Sequence, residues 1–192
     1  MDPYFETENI PLYATDAGKR EKAIKEVTYN LTLSLSTSKN FHGQVVTTFK
    51  FKQNVQLEDV KGLFMDFHGN SIECLCINGV SFLPYEIKFL KQKVCIPVDL
   101  LKLNETNTIK IKFTNTCTNN SVGLARYQDP VDNEIYMYTH LEPFNCNRWF
   151  PCFDQPCLRA KLTLTVISPV QNWKVIANGK ETLRLSLEQP EA

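Results

Sequence analysis

Hydrophobic and polar residues alternate along most of this chain. In EVTYNLTLSLSTS, residues 26–38, Val27, Tyr29, Leu31, Leu33 and Leu35 share one parity, while Thr28, Asn30, Thr32, Ser34 and Ser36 share the other. That is the period of a strand with one buried and one wet face. GQVVTTFKFKQN repeats the pattern with Val45, Thr47, Phe49 and Phe51 inward. GLFMDF, SIECLCING, KVCIPV, NTIKIKFTN, EIYMYTHLE, KLTLTVIS, NWKVIANG and ETLRLSL follow, each short and β-rich, and most end near Gly, Asn or Pro. The stretch 61–82 reads as two strands around His68-Gly69-Asn70, closed by the hairpin signal Asn78-Gly79. One segment departs from the period: Thr15-Asp16-Ala17 followed by GKREKAIKEV predicts a capped, charged helix of two or three turns. About ten short strands in succession predict an all-β fold. The expected architecture is a saddle-like antiparallel β-sandwich over residues 26–192, preceded by a segment, 1–25, that carries the short helix.

Composition narrows the partners. The 192 residues are 43% hydrophobic, enough for a core of ordinary domain size, and 21 basic residues balance 21 acidic ones. No window supplies the basic excess that nucleic acid or an anionic membrane would need, so neither is expected as a partner. The opening MDPYFETENIPLYATDAGKREK has no apolar run of signal-peptide length, and nothing later approaches the roughly 20 apolar residues of a membrane span. The expected compartment is the cytoplasm. There the seven cysteines should be reduced and mostly buried, and the sequons at Asn30, Asn104 and Asn119 are chance matches.

Reactive chemistry is sparse. There is no H-E-x-x-H, no G-x-S-x-G and no glycine-rich phosphate loop, and the cysteine spacings C-x-C and C-x5-C-x4-C fit no usual zinc site, so no metal is expected in this chain. Of the three histidines, His42 and His68 neighbour glycines and read as solvated turn residues. The strand 135–142 is different, because Tyr136, Tyr138, His140 and Glu142 share one parity and put two phenols, an imidazole and a carboxylate on one face. Just beyond it the alternation stops at Glu142-Pro143, and aromatics, two cysteines, Arg148 and three prolines crowd into PFNCNRWFPCFDQP.

That passage resembles the N-terminal domain of the zinc metallo-aminopeptidases of the aminopeptidase N family, which includes puromycin-sensitive aminopeptidase and leukotriene hydrolase. The family motif runs roughly Y-x-x-T-Q-x-E-P-x-D-A-R-R-x-F-P-C-F-D-E-P, followed by an alternating strand and a W-x-V-x-S-N stretch. Here Tyr136, Thr139, Glu142, Pro143, Arg148, Phe150, Pro151, Cys152, Phe153, Asp154, Gln155 and Pro156 are followed by LTLTV and by Trp173 to Gly179. Upstream, DPVDNEIYMYT is similar to the family's bacterial branch.

The resemblance implies a β domain that caps a catalytic domain of the same protein, with the zinc ligands, the G-x-M-E-N loop and the transition-state tyrosine all outside this sequence. It implies that Glu142 binds the free α-amine of a peptide substrate. His140 stands where the family has a glutamine that contacts the backbone of the first substrate residue. It gives Phe150 to Pro156 a structural role, with Arg148 and Asp154 tying the loop to the sheets and Cys152 not a nucleophile. Two other readings stand beside it: a non-catalytic relative that keeps the domain as a protein-interaction scaffold, and a stand-alone β-sandwich binding module.

Overall fold

The computed structural model describes residues 8–185. One helix, α1 (Ala14–Ala23), leads into β1 (Ile24–Ser34) and β2 (Asn40–Phe51). There follow β3 (Phe64–Asp66), β4 (Ser71–Ile77), β5 (Val80–Phe82), β6 (Phe89–Leu90), β7 (Lys93–Cys95), β8 (Asn107–Thr116), β9 (Gly123–Gln128), β10 (Ile135–His140) and β11 (Ala160–Ile167). The strands build a six-stranded sheet in the order β11-β1-β2-β8-β4-β5, a three-stranded sheet β3-β7-β6 and a two-stranded ribbon β10-β9. The expected all-β sandwich with a short leading helix is the fold. Among the described strands, β11 alone departs from antiparallel pairing and runs parallel to β1.

The period-two pattern places the core. Val27, Tyr29, Leu31 and Leu33 of β1, Val45, Thr47, Phe49 and Phe51 of β2, and Ile109, Ile111 and Phe113 of β8 are all buried on one face of the large sheet. On the other face, Thr28 and Thr48 join their hydroxyls at 2.6 Å across the β1–β2 pair. The small sheet covers the apolar face, with Phe67 meeting Phe113 edge-on at 5.1 Å, and the loop after β10 covers more of it through Phe153, which packs on Phe49 at 5.6 Å. Asn78 and Gly79 both take positive φ, 50° and 91°, as a type I′ turn requires, and close the β4–β5 hairpin.

Four expectations need correction. Thr15 and Asp16 do not cap α1: the helix starts at Ala14 behind Tyr13, no side chain caps it, and Asp16 pairs with Lys93 at 3.2 Å instead. The helix also stops at Ala23, so Lys25 to Val27 belong to β1. The strands around His68 enter different sheets, and His68 itself is buried, its Nδ1 2.8 Å from the Asn9 side-chain oxygen, rather than solvated. Finally, 172–179 and the described part of 181–187 form no strand, although their alternation is clear; alternation alone does not make a strand, which also needs a neighbour to take its backbone hydrogen bonds.

Candidate functional site: a polar ribbon on a buried clamp

The crowded passage after Glu142 is the base on which the polar ribbon stands. Backbone bonds run both ways between Asp66 and Cys152, at 2.8 and 3.0 Å, and seat the loop against β3. The Asp66 carboxylate accepts Arg20 Nη1 of α1 at 2.7 Å and the Asp154 backbone N–H at 3.1 Å, and the two ion-pair side chains are 2% and 5% exposed. Arg20 also donates to the Phe64 carbonyl at 3.0 Å and lies 4.0 Å from the centre of the Phe64 ring. Gln155 donates to the Ala17 carbonyl, and the Tyr29 hydroxyl accepts the Phe153 N–H. One loop thereby fastens the helix, both sheets and the start of the ribbon together.

Arg148 and Asp154 both take part in seating the loop. The buried ion pair is Arg20–Asp66, while Asp154 accepts the backbone N–H of Asn147 at 2.9 Å and the Arg148 carbonyl accepts Asn115 Nδ2 at 2.7 Å. Burial, with the nearby Asp66 charge adding to it, pushes Asp154 up from 3.8 to about 6. Cys152 is buried, and that burial together with the adjoining Cys146 thiol raises its pKa well above that of a free thiol, as expected of an inert structural cysteine. All seven cysteines are free; Cys117 and Cys152 are fully buried, Cys157 is exposed and the others are half-buried. Neither Arg20 nor Asp66 sits in a motif and they lie 46 residues apart, so no sequence signal singles them out.

The ribbon rises from this base. Leu124 and Ala125 of β9 are buried, whereas Tyr136, Tyr138 and His140 of β10 are exposed along one face. Tyr136 donates to Asp132, and that bond raises its phenol pKa. Tyr138 shares a 2.8 Å bond with the Ser121 hydroxyl. His140 Nδ1 lies 2.9 Å from the Ser121 carbonyl, which can only accept, so Nδ1 carries the proton. Opposite His140 stands Gly123, with φ 71°, where a side chain would come within 2.6 Å of Arg148 Cβ. Only glycine meets both demands, and it lets the ribbon dock closely on the loop. Glu142 lies two residues past the end of β10, exposed, in the turn of a cis Glu142–Pro143 peptide whose Glu142 carbonyl accepts Asn145 Nδ2. Its carboxylate has no hydrogen-bond or ion-pair partner among the described residues. His140 and Glu142 thus lie at the same end of the ribbon, whereas His42 lies apart on the outer face of the large sheet beside Glu73 and Thr114.

Comparison with known proteins places the chain in a family. Residues 25–190 match the model of the peptidase M1 N-terminal domain, and the chain belongs to that family. It is 27% identical over 167 residues to aminopeptidase N of Streptomyces lividans, covering 85% of this chain and 18% of that protein. A shorter match, 41% over 64 residues, links it to the mitochondrial aminopeptidase 2 of Saccharomyces cerevisiae. The chain therefore spans less than a fifth of the length of these relatives. Among solved structures, native leukotriene A4 hydrolase from Saccharomyces cerevisiae shares the fold at a TM-score of 0.57 and 23% identity, covering 77% of this chain and 24% of that one. No described helix is long and apolar enough to cross a membrane.

Proposed function

We propose that residues 26–192, behind the segment 1–25, form the substrate-capping domain of a cytoplasmic zinc aminopeptidase that removes single residues from peptide N-termini. Glu142 is the anchor for the substrate's free amine. The observation that supports this most is the state of its carboxylate: exposed at the end of a polar ribbon, held in place by a braced turn, and without an internal partner among the described residues. An ammonium that enters a closed pocket loses its hydration, and a carboxylate that faces it there offsets the loss. A peptide bond in the middle of a chain offers no such charge, so the anchor makes the enzyme count from the N-terminus. His140, with its Nδ1 proton committed to Ser121, keeps Nε2 for the backbone of the first substrate residue.

Zinc does not fit the residues present. His42, His68 and His140 lie on separate elements, and among the described residues no three His, Cys, Asp or Glu side chains converge. Metal chemistry therefore falls to a catalytic domain of the same protein. The first test is the continuation of the reading frame, where G-x-M-E-N and H-E-x-x-H should follow. The second is Glu142→Ala in the protein that carries both domains. Losing one partner of a buried pair costs about 3 to 5 kcal/mol, and a second acid from the catalytic domain brings the effect to the low end, about a hundredfold in kcat/KM. The variant should also discriminate less against N-acetylated peptides. Wild-type kcat/KM on free-amine substrates would show that the anchor is assigned wrongly.

A further inference from the structure

The C-x-C stretch of β4, which fits no usual zinc site, has no part in the ribbon or the clamp. Leu75 and Ile77 point into the core, 1% and 0% exposed, so Cys74 and Cys76 lie together on the opposite, polar face of the large sheet, both half-buried and both free. The register with β8 is regular from Cys74 to Ile77 and sets Lys112 opposite Cys74 and Lys110 opposite Cys76. Residues opposite each other on one face stand about 5 Å apart at Cβ, so each thiol has an ammonium within side-chain reach. Neither lysine has an ion-pair partner among the described residues. Glu73, the acid beside Cys74, is turned to His42 and Thr114 instead. The patch therefore joins two thiols to two uncompensated cations.

Geometry decides what such a pair can do. Side chains two residues apart on one face of a strand are about 6.7 Å apart at Cβ, whereas a disulfide needs about 3.5 to 4.5 Å, so the two thiols do not close on each other. A metal ion between them asks for less. At about 2.3 Å per metal–sulfur bond, a linear complex holds its sulfurs about 4.6 Å apart, a separation the two thiols reach by turning toward each other. Zinc takes four ligands, and no third His, Cys, Asp or Glu converges here among the described residues. The Ser81 hydroxyl, opposite Cys76 on the β5 side, is a hard donor that does not complete a thiolate site. Two sulfurs alone suit a soft monovalent ion, and thiolates select copper(I). We propose that Cys74 and Cys76 form a two-coordinate site for copper(I), with Lys110 and Lys112 balancing its charge. Binding exchanges the two S–H protons, which leave to solvent, for one copper(I), so the bis-thiolate carries one net negative charge and no atom changes oxidation state. The lysines across the ladder face that charge. Nothing in the site depends on Glu142 or on the amine anchor.

The test is anaerobic titration of this chain with copper(I), supplied as its acetonitrile complex, in competition with a chelator whose absorbance reports bound copper(I). A reductant without thiols keeps the cysteines reduced. The tightest class of sites is expected to hold about one ion per chain, and X-ray absorption at the copper edge should show a two-coordinate first shell of sulfur alone. Cys74→Ser or Cys76→Ser should weaken that class at least about a hundredfold, while Cys157→Ser, which removes the exposed thiol, should leave it unchanged. Serine is close to cysteine in size and these positions lie on the polar face, so an unmoved urea midpoint is expected to accompany each loss of binding. Lys110→Met together with Lys112→Met should weaken binding about tenfold and keep the stoichiometry. A tight class that survives the double substitution of Cys74 and Cys76 overturns the site, and so does a first shell of three or more ligands, or an affinity that falls with Cys157→Ser. An affinity that the lysine substitutions do not alter overturns the part given to Lys110 and Lys112.

Discussion

Asp66 and Glu142 are both carboxylates that bracket the same loop, and their surroundings are opposite. The Asp66 side chain is 5% exposed, and one of its oxygens is shared between the Arg20 guanidinium and the Asp154 N–H. Glu142 is exposed and makes no side-chain bond among the described residues. A polar group whose bonds are all met inside the fold holds the fold together, because moving it strands its partner. A polar group with its bonding capacity unspent, on a turn that cannot easily move, can bind something else. The Asp66 carboxylate, held between Arg20 and Asp154, is of the first kind, and Glu142 at the ribbon end is of the second.

The largest effect that separates the two regions should come from the clamp. Asp66→Ala leaves the Arg20 guanidinium buried without its counter-charge, which costs about 3 to 5 kcal/mol. Urea denaturation of this chain should show a midpoint far below wild type, or no cooperative transition. Glu142→Ala should leave that midpoint where it is, since it removes no internal bond, while lowering kcat/KM about a hundredfold in the longer protein. A fall in the denaturation midpoint with Glu142→Ala would erase the contrast and return Glu142 to a structural role.

Gly123→Ala should fall next in size. The new side chain must sit at positive φ and also meet Arg148 Cβ, and strain of this kind costs roughly 1 to 3 kcal/mol. The strain acts at the seam between clamp and ribbon, so it should reach His140 as well, because His140 pairs with Gly123. The expected signature is a lower melting temperature together with shifted resonances for His140 and Ser121. Lost stability with an unmoved His140 would mean that the two regions are coupled less than the packing indicates.

Much of this contrast was visible in the residues, and some of it could not be. Period-two runs located the long strands and their buried faces at Val27 to Leu33 and Val45 to Phe51, since one-sided burial leaves a direct trace in sequence. The motif from Tyr136 to Pro156 pointed to the ribbon and the loop. The pairing of Arg20 with Asp66 left no trace, because an isolated ion pair between distant segments has neither period nor spacing. The same limit explains His68, which looks like a turn residue beside Gly69 and is buried, with its ring bonded to the distant Asn9. Alternation also over-reads: 172–179 carries the pattern of a strand, but pattern reports what a segment can do, and pairing depends on a neighbour being present.

The smallest predicted effect has the opposite sign, and it distinguishes the clamp's two acids. Asp154 is raised to about 6 chiefly by burial, against 3.8 for a free carboxyl. An acid whose pKa is higher folded than unfolded binds its proton more tightly in the native state, so it favours folding while protonated. That contribution is complete below about pH 4 and is lost as pH rises through about 6. The Asn147 N–H that Asp154 accepts does not need a charge, and an asparagine carbonyl accepts it equally well. Asp154→Asn should therefore match wild type near pH 4 and exceed it at pH 7, by about 1 to 2 kcal/mol once partial exposure is discounted. Denaturation midpoints at a series of pH values should show the two curves separating between pH 4 and 6. Curves that stay parallel would mean that Asp154 ionises normally, with the Asn147 bond and the Arg20 charge outweighing its burial.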